Sequence, residues 1–274
     1  MAHDELGKRM KENYENRAKN YLTRRTPVII RIDGKAFHTF TRGLNRPWDD
    51  ILHKAMVSTL KYLCANIQGC KFGYTQSDEI SLLLIDYDKL TTDAWFGYNA
   101  QKMCSISASM ATYAFNKYFS KYANEYLNQF EDYEGMSEEQ FNYTEVLEEC
   151  METGALFDSR CFSIPREEVT NYFIWRQQDA TRNAIQMLGQ TYFSHSELQD
   201  KNNNQVQDML MMTHGVNFND QKTVFKRGTC CIKAYDDSDT CRAKWVIDTE
   251  IPIFTQNRDY VEEEVYVDYN KGET

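Results

Sequence analysis

The chain has 274 residues, of which 42% are hydrophobic and 26% are charged, which is enough apolar surface to bury a core and excludes a disordered polymer. No run of about 18 apolar residues occurs, and no apolar segment follows the charged N-terminal residues, so we expect neither a membrane-spanning helix nor a secretory signal. The eight cysteines include no C-x-x-C pair, which argues against a zinc ribbon and indicates reduced thiols in a soluble, cytoplasmic protein.

The net charge of −10 is concentrated in one segment. Residues 125–152 contain ten acidic side chains and no basic one, so the rest of the chain is neutral overall. The first 31 residues hold eight Lys or Arg against four Asp or Glu. An acidic total is therefore compatible with a local basic surface, and charge alone decides neither for nor against an RNA partner.

Hydrophobic periodicity predicts an alternation of strands and helices. In chain order the predicted elements are a helix over 5–24, a strand over 28–32, a helix over 49–67 capped by Asp49 or Asp50, a hairpin of 70–75 and 80–85, a helix over 94–122, a strand over 157–164, a helix over 166–193, and strands over 224–235 and 243–254. This order is typical of a split βαββαβ fold, an α+β architecture whose antiparallel sheet carries helices on one face. The remaining segments predict helical and β additions to that core.

Two acidic spots lie at the ends of apolar strands. Asp33 and Gly34 follow the first strand, and Asp78 and Glu79 lie at the hairpin turn, 45 residues further on. In a split sheet the first strand and the central hairpin are neighbours, so these carboxylates can meet. Carboxylates held together repel unless a cation neutralises them, and Mg²⁺ takes one or two carboxylates and completes its shell with phosphate and water. Both dipeptides also occur in ordinary turns, so a purely structural interpretation stays open.

The segments around these carboxylates resemble known signatures. Residues 31–40, RIDGKAFHTF, resemble the R-x-D-G-x-x-F-H-x-F signature of the tRNA(His) guanylyltransferase family, and residues 73–81, GYTQSDEIS, resemble its Q-S-D-E-x-S hairpin. Weaker matches follow in the family's order at 157–160, 175–177 and 226–229. The resemblance covers roughly residues 20–235.

The resemblance implies a polymerase-like palm that works in the 3′–5′ direction. Enzymes of this family activate a tRNA 5′ end, usually with ATP, and the 3′-hydroxyl of an incoming nucleotide such as GTP then attacks the activated phosphate. By motif, Asp33 and Asp78 would bind two Mg²⁺ ions, the carbonyl of Gly34 would bind one of them, and Glu79 would support catalysis. The implied nucleotide contacts are Asp33, Gly34, Lys35, Ala36, Phe37, His38, Ser77 and Asp78. The weaker candidates for RNA contact are Lys102, Arg160, Arg182 and Arg227.

On this interpretation the chain divides into four segments. Residues 1–124 form the first part of the palm, 125–156 an acidic insertion, 157–256 the rest of the catalytic domain with an RNA-facing helix, and 257–274 an acidic C-terminal tail. The partners implied by the resemblance are tRNA and nucleoside triphosphates, with no membrane. Relatives are commonly oligomeric, so we expect a homo-oligomer, a tetramer by resemblance.

Two departures from the family pattern indicate its guanylyltransferase-like branch. Members specific for tRNA(His) carry H-I-N-N after W-R-Q, whereas this chain has TRNA at residues 181–184. The family's basic cluster after W-F is here GYN at 97–99, with Lys102 remaining. The guanylyltransferase-like branch repairs 5′-truncated tRNA by templated addition, so base pairing would provide much of the selectivity.

Two other hypotheses stay open. A nucleotidyl cyclase also places metal-binding carboxylates on a palm hairpin, although this chain has QSDE at residues 76–79 where cyclases carry G-G-D-E-F. A protein that kept the palm for RNA binding or assembly but lost catalysis is the non-enzymatic alternative.

Overall fold

The computed structural model describes residues 5–130, 135–235 and 243–266. The strands are β1 Val28–Gly34, β2 Cys70–Gln76, β3 Glu79–Leu84, β4 Phe157–Ser163, β5 Thr229–Tyr235 and β6 Ala243–Asp248. The helices are α1 Glu5–Met10, α2 Phe37–Phe40, α3 Asp50–Asn66, α4 Ala100–Leu127, α5 Glu138–Thr153, α6 Arg166–Tyr192, α7 His195–Leu198, α8 Asn203–His214, α9 Thr223–Arg227 and α10 Asp259–Val265. Within these ranges no helix combines the length and apolar character needed to cross a bilayer.

The strands form one six-stranded antiparallel sheet in the order β4-β1-β3-β2-β5-β6. Strands β1 to β4, with α3 and α4 as their connecting helices, have the order of a split βαββαβ fold. Strands β5 and β6 extend the sheet beyond β2. The predicted α+β fold is therefore confirmed, and the sheet places β1 between β3 and β4.

Side chains alternate between the two faces of the sheet. On β1, Ile30 and Ile32 belong to the core shared with α3 and α4, whereas Ile29 belongs to a second core shared with α6 and α10. The helical additions thus cover the second face, so both faces of the sheet are buried. This explains why β3 is buried along its whole length instead of alternating with exposed positions.

The N-terminal helix is shorter than predicted. Helix α1 continues into a π-turn and a 3₁₀ turn that ends at Ala18, and none of these residues is buried. The chain then runs extended, because the backbone N–H of Leu22 donates to the carbonyl of Tyr98 and that of Ala100 donates to the carbonyl of Asn20. These long-range hydrogen bonds override the local helical pattern.

The last two predicted strands are also shorter. Residues 223–227 form helix α9, and β5 begins only at Thr229, after Gly228. Gly228 has a φ of +86°, and a Cβ there would lie 2.5 Å from the carbonyl oxygen of Thr75. This close approach of the two backbones requires glycine and ends the helix.

The acidic segment contributes to the core. Helix α5 begins with a capping box between Ser137 and Gln140. Its inner face buries Tyr143, Leu147 and Cys150, while its glutamates occupy the outer face. Residues 131–134 lie outside the described residues. Helix α5 of the predicted acidic insertion is thus amphipathic, with one face packed in the core.

The C-terminal segment is partly helical. Val261 and Val265 of α10 are fully buried in the second core, so this part of the predicted tail is packed against the domain. Residues 267–274 lie outside the described residues. The four-segment division remains a prediction.

Candidate active site

The register of the sheet brings the two signature segments together. Asp33 is paired with Glu79 across β1 and β3, and the backbone N–H of Gly34 donates to the carbonyl of Asp78 at 3.2 Å. Asp33 and Asp78 both line one cavity of about 600 Å³. The two carboxylates that the sequence separates by 45 residues are neighbours in the fold.

The electrostatics of this pair favour a bound cation. Burial raises the pKa of Asp78, and the charge of Asp33 raises it further, against the hydrogen bonds from its own backbone and from Ser77. Across residues 5–130, 135–235 and 243–266, no cluster of three or more His, Cys, Asp and Glu side chains is arranged to hold a metal. Mg²⁺ typically binds one or two carboxylates and completes its coordination shell with phosphate and water oxygens, and the pair Asp33 and Asp78 offers such a set.

Glu79 is engaged in a buried ion-pair network. It accepts two hydrogen bonds from Arg176, Nε to Oε1 and Nη2 to Oε2, each at 2.7 Å. Arg31 Nη2 lies 2.9 Å from Glu79 Oε2 and 3.7 Å from Asp33 Oδ2. The side chains of Glu79 and Arg176 are both 4% exposed. Guanidinium groups thus occupy both carboxylate oxygens of Glu79, and Glu79 is not among the residues that line the cavity.

The segment after Asp33 forms one wall of the cavity. Of the predicted nucleotide contacts, Asp33, Gly34, Ala36, Phe37, His38, Ser77 and Asp78 line it. Lys35 is the exception: its backbone N–H donates to the carbonyl of Leu156 at 2.8 Å and its side chain is exposed. The predicted set is thus gathered at one cavity, with Lys35 beside it.

Two residues of this wall have left-handed backbone conformations. Ala36 has a φ of 52° and Ser77 a φ of 50°. Such conformations cost a non-glycine residue of order 1 kcal/mol or more and cluster at ligand-binding sites. Phe37 anchors this wall, because its ring packs in the core against Phe115 and Phe157. The strained backbone is thereby held on a rigid support.

A second group of residues that line the cavity was not among the predicted site residues. It includes Arg46, Trp48, Asp49, Asn183, Met187 and Phe225. Trp48 stacks on Phe225 with ring centroids 4.8 Å apart and planes 3° apart. These residues come from the loop before α3, from α6 and from α9, and Asn183 is the one that lies in the TRNA segment, where the sequence departs from the family pattern.

The candidate RNA contacts are dispersed. Arg160 Nη2 lies 3.1 Å from Asp158 Oδ1 and 4.0 Å from Asp33 Oδ2, so it borders the carboxylates. Arg182 pairs with Asp179 at 2.7 Å on α6. Lys102 lies in the first turn of α4, with its Nζ 5.7 Å from the ring of Phe96.

Arg227, the fourth candidate, lies at the end of α9, where its backbone carbonyl accepts a hydrogen bond from the hydroxyl of Tyr74 at 2.6 Å. Among these four candidates, Arg160 alone has an ion pair with a carboxylate of the site.

Comparison with known proteins assigns the family. The family model for tRNAHis guanylyltransferase matches residues 7–165. Two solved structures of a bacterial tRNA(His) guanylyltransferase-like protein, in complex with ATP and with GTP, are 42% identical to this chain, cover 96% of it and 100% of their own chains, and have TM-scores of 0.80 and 0.75. The tRNA(His) guanylyltransferase of Debaryomyces hansenii is 26% identical over 232 residues, which is 79% of this chain and 77% of that protein.

The predicted resemblance to the guanylyltransferase-like branch is confirmed by the two bacterial structures. Since the family model covers more than half of the chain, and the cavity carries both signature segments, the chain belongs to the tRNA(His) guanylyltransferase family of nucleotidyltransferases.

Proposed function

We propose that the chain is a magnesium-dependent 3′–5′ nucleotidyltransferase that adds nucleotides to the 5′ end of tRNA, and that its reaction is the templated repair of 5′-truncated tRNA. The observation that carries this proposal is the meeting of Asp33 and Asp78 at one cavity, where burial and mutual repulsion leave Asp78 with a raised pKa. The bacterial relative bound to ATP and to GTP supports a nucleotide in that cavity.

Asp33, Asp78 and the carbonyl of Gly34 are the groups that would hold magnesium. When bound, the ions neutralise phosphoryl oxygens and stabilise the charge that develops during phosphoryl transfer. The cavity volume of about 600 Å³ lies within the range of small-molecule sites, which suits a nucleoside triphosphate. The strained turns at Ala36 and Ser77 present a fixed backbone to that ligand.

The reaction has two steps. A 5′-phosphate oxygen of the tRNA attacks the α-phosphorus of ATP and releases pyrophosphate. The 3′-hydroxyl of the incoming nucleotide then attacks the activated 5′-phosphorus, AMP leaves, and the hydroxyl proton passes to solvent. Arg31 and Arg160, both near Asp33, would balance the negative charge of the phosphates at this point.

The departure from the H-I-N-N pattern supports repair over selection of tRNA(His). In the TRNA segment at residues 181–184, Asn183 and Ala184 both line the cavity. Base pairing with the template would then select the nucleotide. A homo-tetramer in the cytoplasm, as the resemblance implies, is part of the same proposal.

The test compares two substrates and two variants. We expect the purified protein to extend a 5′-truncated tRNA faster than a full-length tRNA(His) that lacks its extra guanosine. Asp33→Ala and Asp78→Ala should each reduce nucleotide addition on the order of 10²-fold or more, because each removes a carboxylate that would hold magnesium at the reacting phosphates. Asp208→Ala, on the exposed face of α8, is the matched control.

A second measurement separates loss of the site from loss of the fold. Mg²⁺ with GTP should raise the melting temperature of the wild-type protein and leave that of Asp78→Ala unchanged, while circular dichroism shows the same helix content. Full activity of Asp78→Ala would contradict the proposal. Faster extension of the full-length tRNA(His) would contradict the repair reaction while leaving the nucleotidyltransferase in place.

A further inference from the structure

An exposed tryptophan lies among the guanidinium groups of the site. Trp175, on α6, is 48% exposed, although tryptophan side chains are highly buried on average. Arg176 Cζ lies 4.4 Å from the centroid of its ring and Arg31 Cζ lies 5.9 Å from it. The ring of Tyr172 contacts it edge-on, with centroids 5.9 Å apart. The indole is thus held in place from the protein side while much of its surface faces solvent.

Trp175 is connected to the carboxylates through arginine. The guanidinium of Arg31 lies near the indole and also lies 3.7 Å from Asp33. Arg160, the register partner of Arg31 on β4, has its Nη2 4.0 Å from the same oxygen of Asp33, Oδ2, and its side chain is 54% exposed. An aromatic surface and two positive charges therefore border the same carboxylate. This combination, an aromatic platform beside phosphate-binding charges, is the chemistry that binds single-stranded nucleic acid.

This surface is separate from the cavity. Asp33 lines the cavity, whereas Arg31, Arg160 and Trp175 are not among the residues that form its walls. Asp33 thus stands at the boundary between two surfaces, one enclosed and one open. A nucleotidyl transfer needs two substrates at the catalytic carboxylates. If the nucleotide occupies the cavity, the open surface is left for the other substrate.

We propose that Trp175 stacks on a nucleobase of the RNA substrate at its 5′ end, with Arg31 and Arg160 beside the phosphates of that strand. This inference rests on the proposed function and names the protein surface that holds the RNA. Stacking accepts every base, because each base has a π-face. A platform of this kind suits templated repair, in which the 5′-terminal base differs from one truncated tRNA to the next.

The test uses a 5′-truncated tRNA that carries 2-aminopurine as its 5′-terminal nucleotide, a base whose fluorescence is quenched by stacking. The wild-type protein should quench this fluorescence on binding. Trp175→Ala should abolish the quenching and weaken RNA binding about 5- to 100-fold, whereas Trp175→Phe, which keeps an aromatic face, should retain most of both. The KM for the nucleotide should change less than about twofold, since stacking on RNA leaves the cavity intact.

Tyr113→Ala, on the outer face of α4 and 58% exposed, is the control for loss of an exposed aromatic residue. Equal quenching by the wild-type protein and Trp175→Ala would overturn the inference. A rise of the KM values for both RNA and nucleotide in Trp175→Ala would also overturn it, because it would indicate that Trp175 has only a structural role. The fluorescence is measured without turnover, so failure of the stacking inference can be distinguished from failure of the proposed function. A wild-type protein that quenches but extends no RNA refutes the proposed function and supports the platform. One that extends RNA without quenching refutes the platform alone.

Discussion

Replacing Arg176 by methionine should destabilise the protein through the buried charge that it leaves behind. Arg176 makes two hydrogen bonds of 2.7 Å to Glu79 and a third of 3.0 Å to Asp179. Breaking a buried ion pair by removing one partner typically costs about 3–5 kcal/mol, because the remaining charge loses its compensation. Arg31 still contacts Glu79 at 2.9 Å, so we expect the lower end, about 3 kcal/mol.

Urea denaturation followed by circular dichroism measures this cost. With an m-value of about 3 kcal/mol/M, the midpoint of Arg176→Met should fall by about 1 M. The double variant Arg176→Met/Glu79→Gln should lose less unfolding free energy than the two single variants lose together, because Glu79→Gln removes the carboxylate charge that Arg176→Met leaves unpaired. Arg182→Met, which breaks an exposed pair with Asp179, should change stability by less than about 1 kcal/mol. A loss below 1 kcal/mol for Arg176→Met, or strict additivity in the double variant, would refute the reasoning.

Two further predictions concern the acidic helix α5 and one buried tyrosine, Tyr172, next to Ser81. Leu147→Ala should cost about 2–5 kcal/mol in urea unfolding because this side chain of α5 is fully buried, whereas Glu149→Ala on the exposed face should change stability by less than about 0.5 kcal/mol; equal effects would contradict the packing of α5. Burial raises the pKa of Tyr172 to about 12, so above pH 10 the unfolded chain loses this proton while the native state keeps it, and stability falls as pH rises. Tyr172→Phe, which also loses the 2.7 Å hydrogen bond with Ser81, should be less stable than wild type at pH 9. The difference in unfolding free energy between the two proteins should be smaller by about 1.4 kcal/mol at pH 11. A difference that does not change with pH would show that folding leaves the pKa of Tyr172 unshifted.

The elements that sequence predicted well are those set by local patterns. The apolar run of β1 ends at Asp33–Gly34, and the β2–β3 hairpin turns at Ser77–Asp78, as the strand and turn residues indicate. Asp49 caps α3 by accepting from the backbone N–H of Leu52 at 2.8 Å. Each of these depends on residues within a few positions of one another, so short-range preferences were sufficient.

The elements that sequence mispredicted depend on distant partners. Residues 20–22 leave the predicted helix because they pair with residues 98–100, and helix α9 replaces part of a predicted strand where Gly228 meets Thr75. The sequence predicts the acidic segment only as an insertion, yet Tyr143, Leu147 and Cys150 of α5 are buried in the core that includes α4. Composition records the charge of a segment but not which of its faces meets the rest of the protein.

The amino-acid sequence by itself determined the order of strands β1 to β4 and of the helices α3 and α4 between them, the two signature segments and the carboxylates Asp33 and Asp78 that they carry. The tertiary structure alone decided that Glu79 is held by Arg31 and Arg176, and that Trp175 faces solvent beside Arg31. It also decided that the loop before α3, α6 and α9 contribute residues to the cavity. The physical reason is the separation along the chain over which each kind of interaction acts. Backbone preferences and hydrophobic periodicity act over a few residues, whereas an ion pair or a cavity wall exists only once segments about 100 residues apart have packed together.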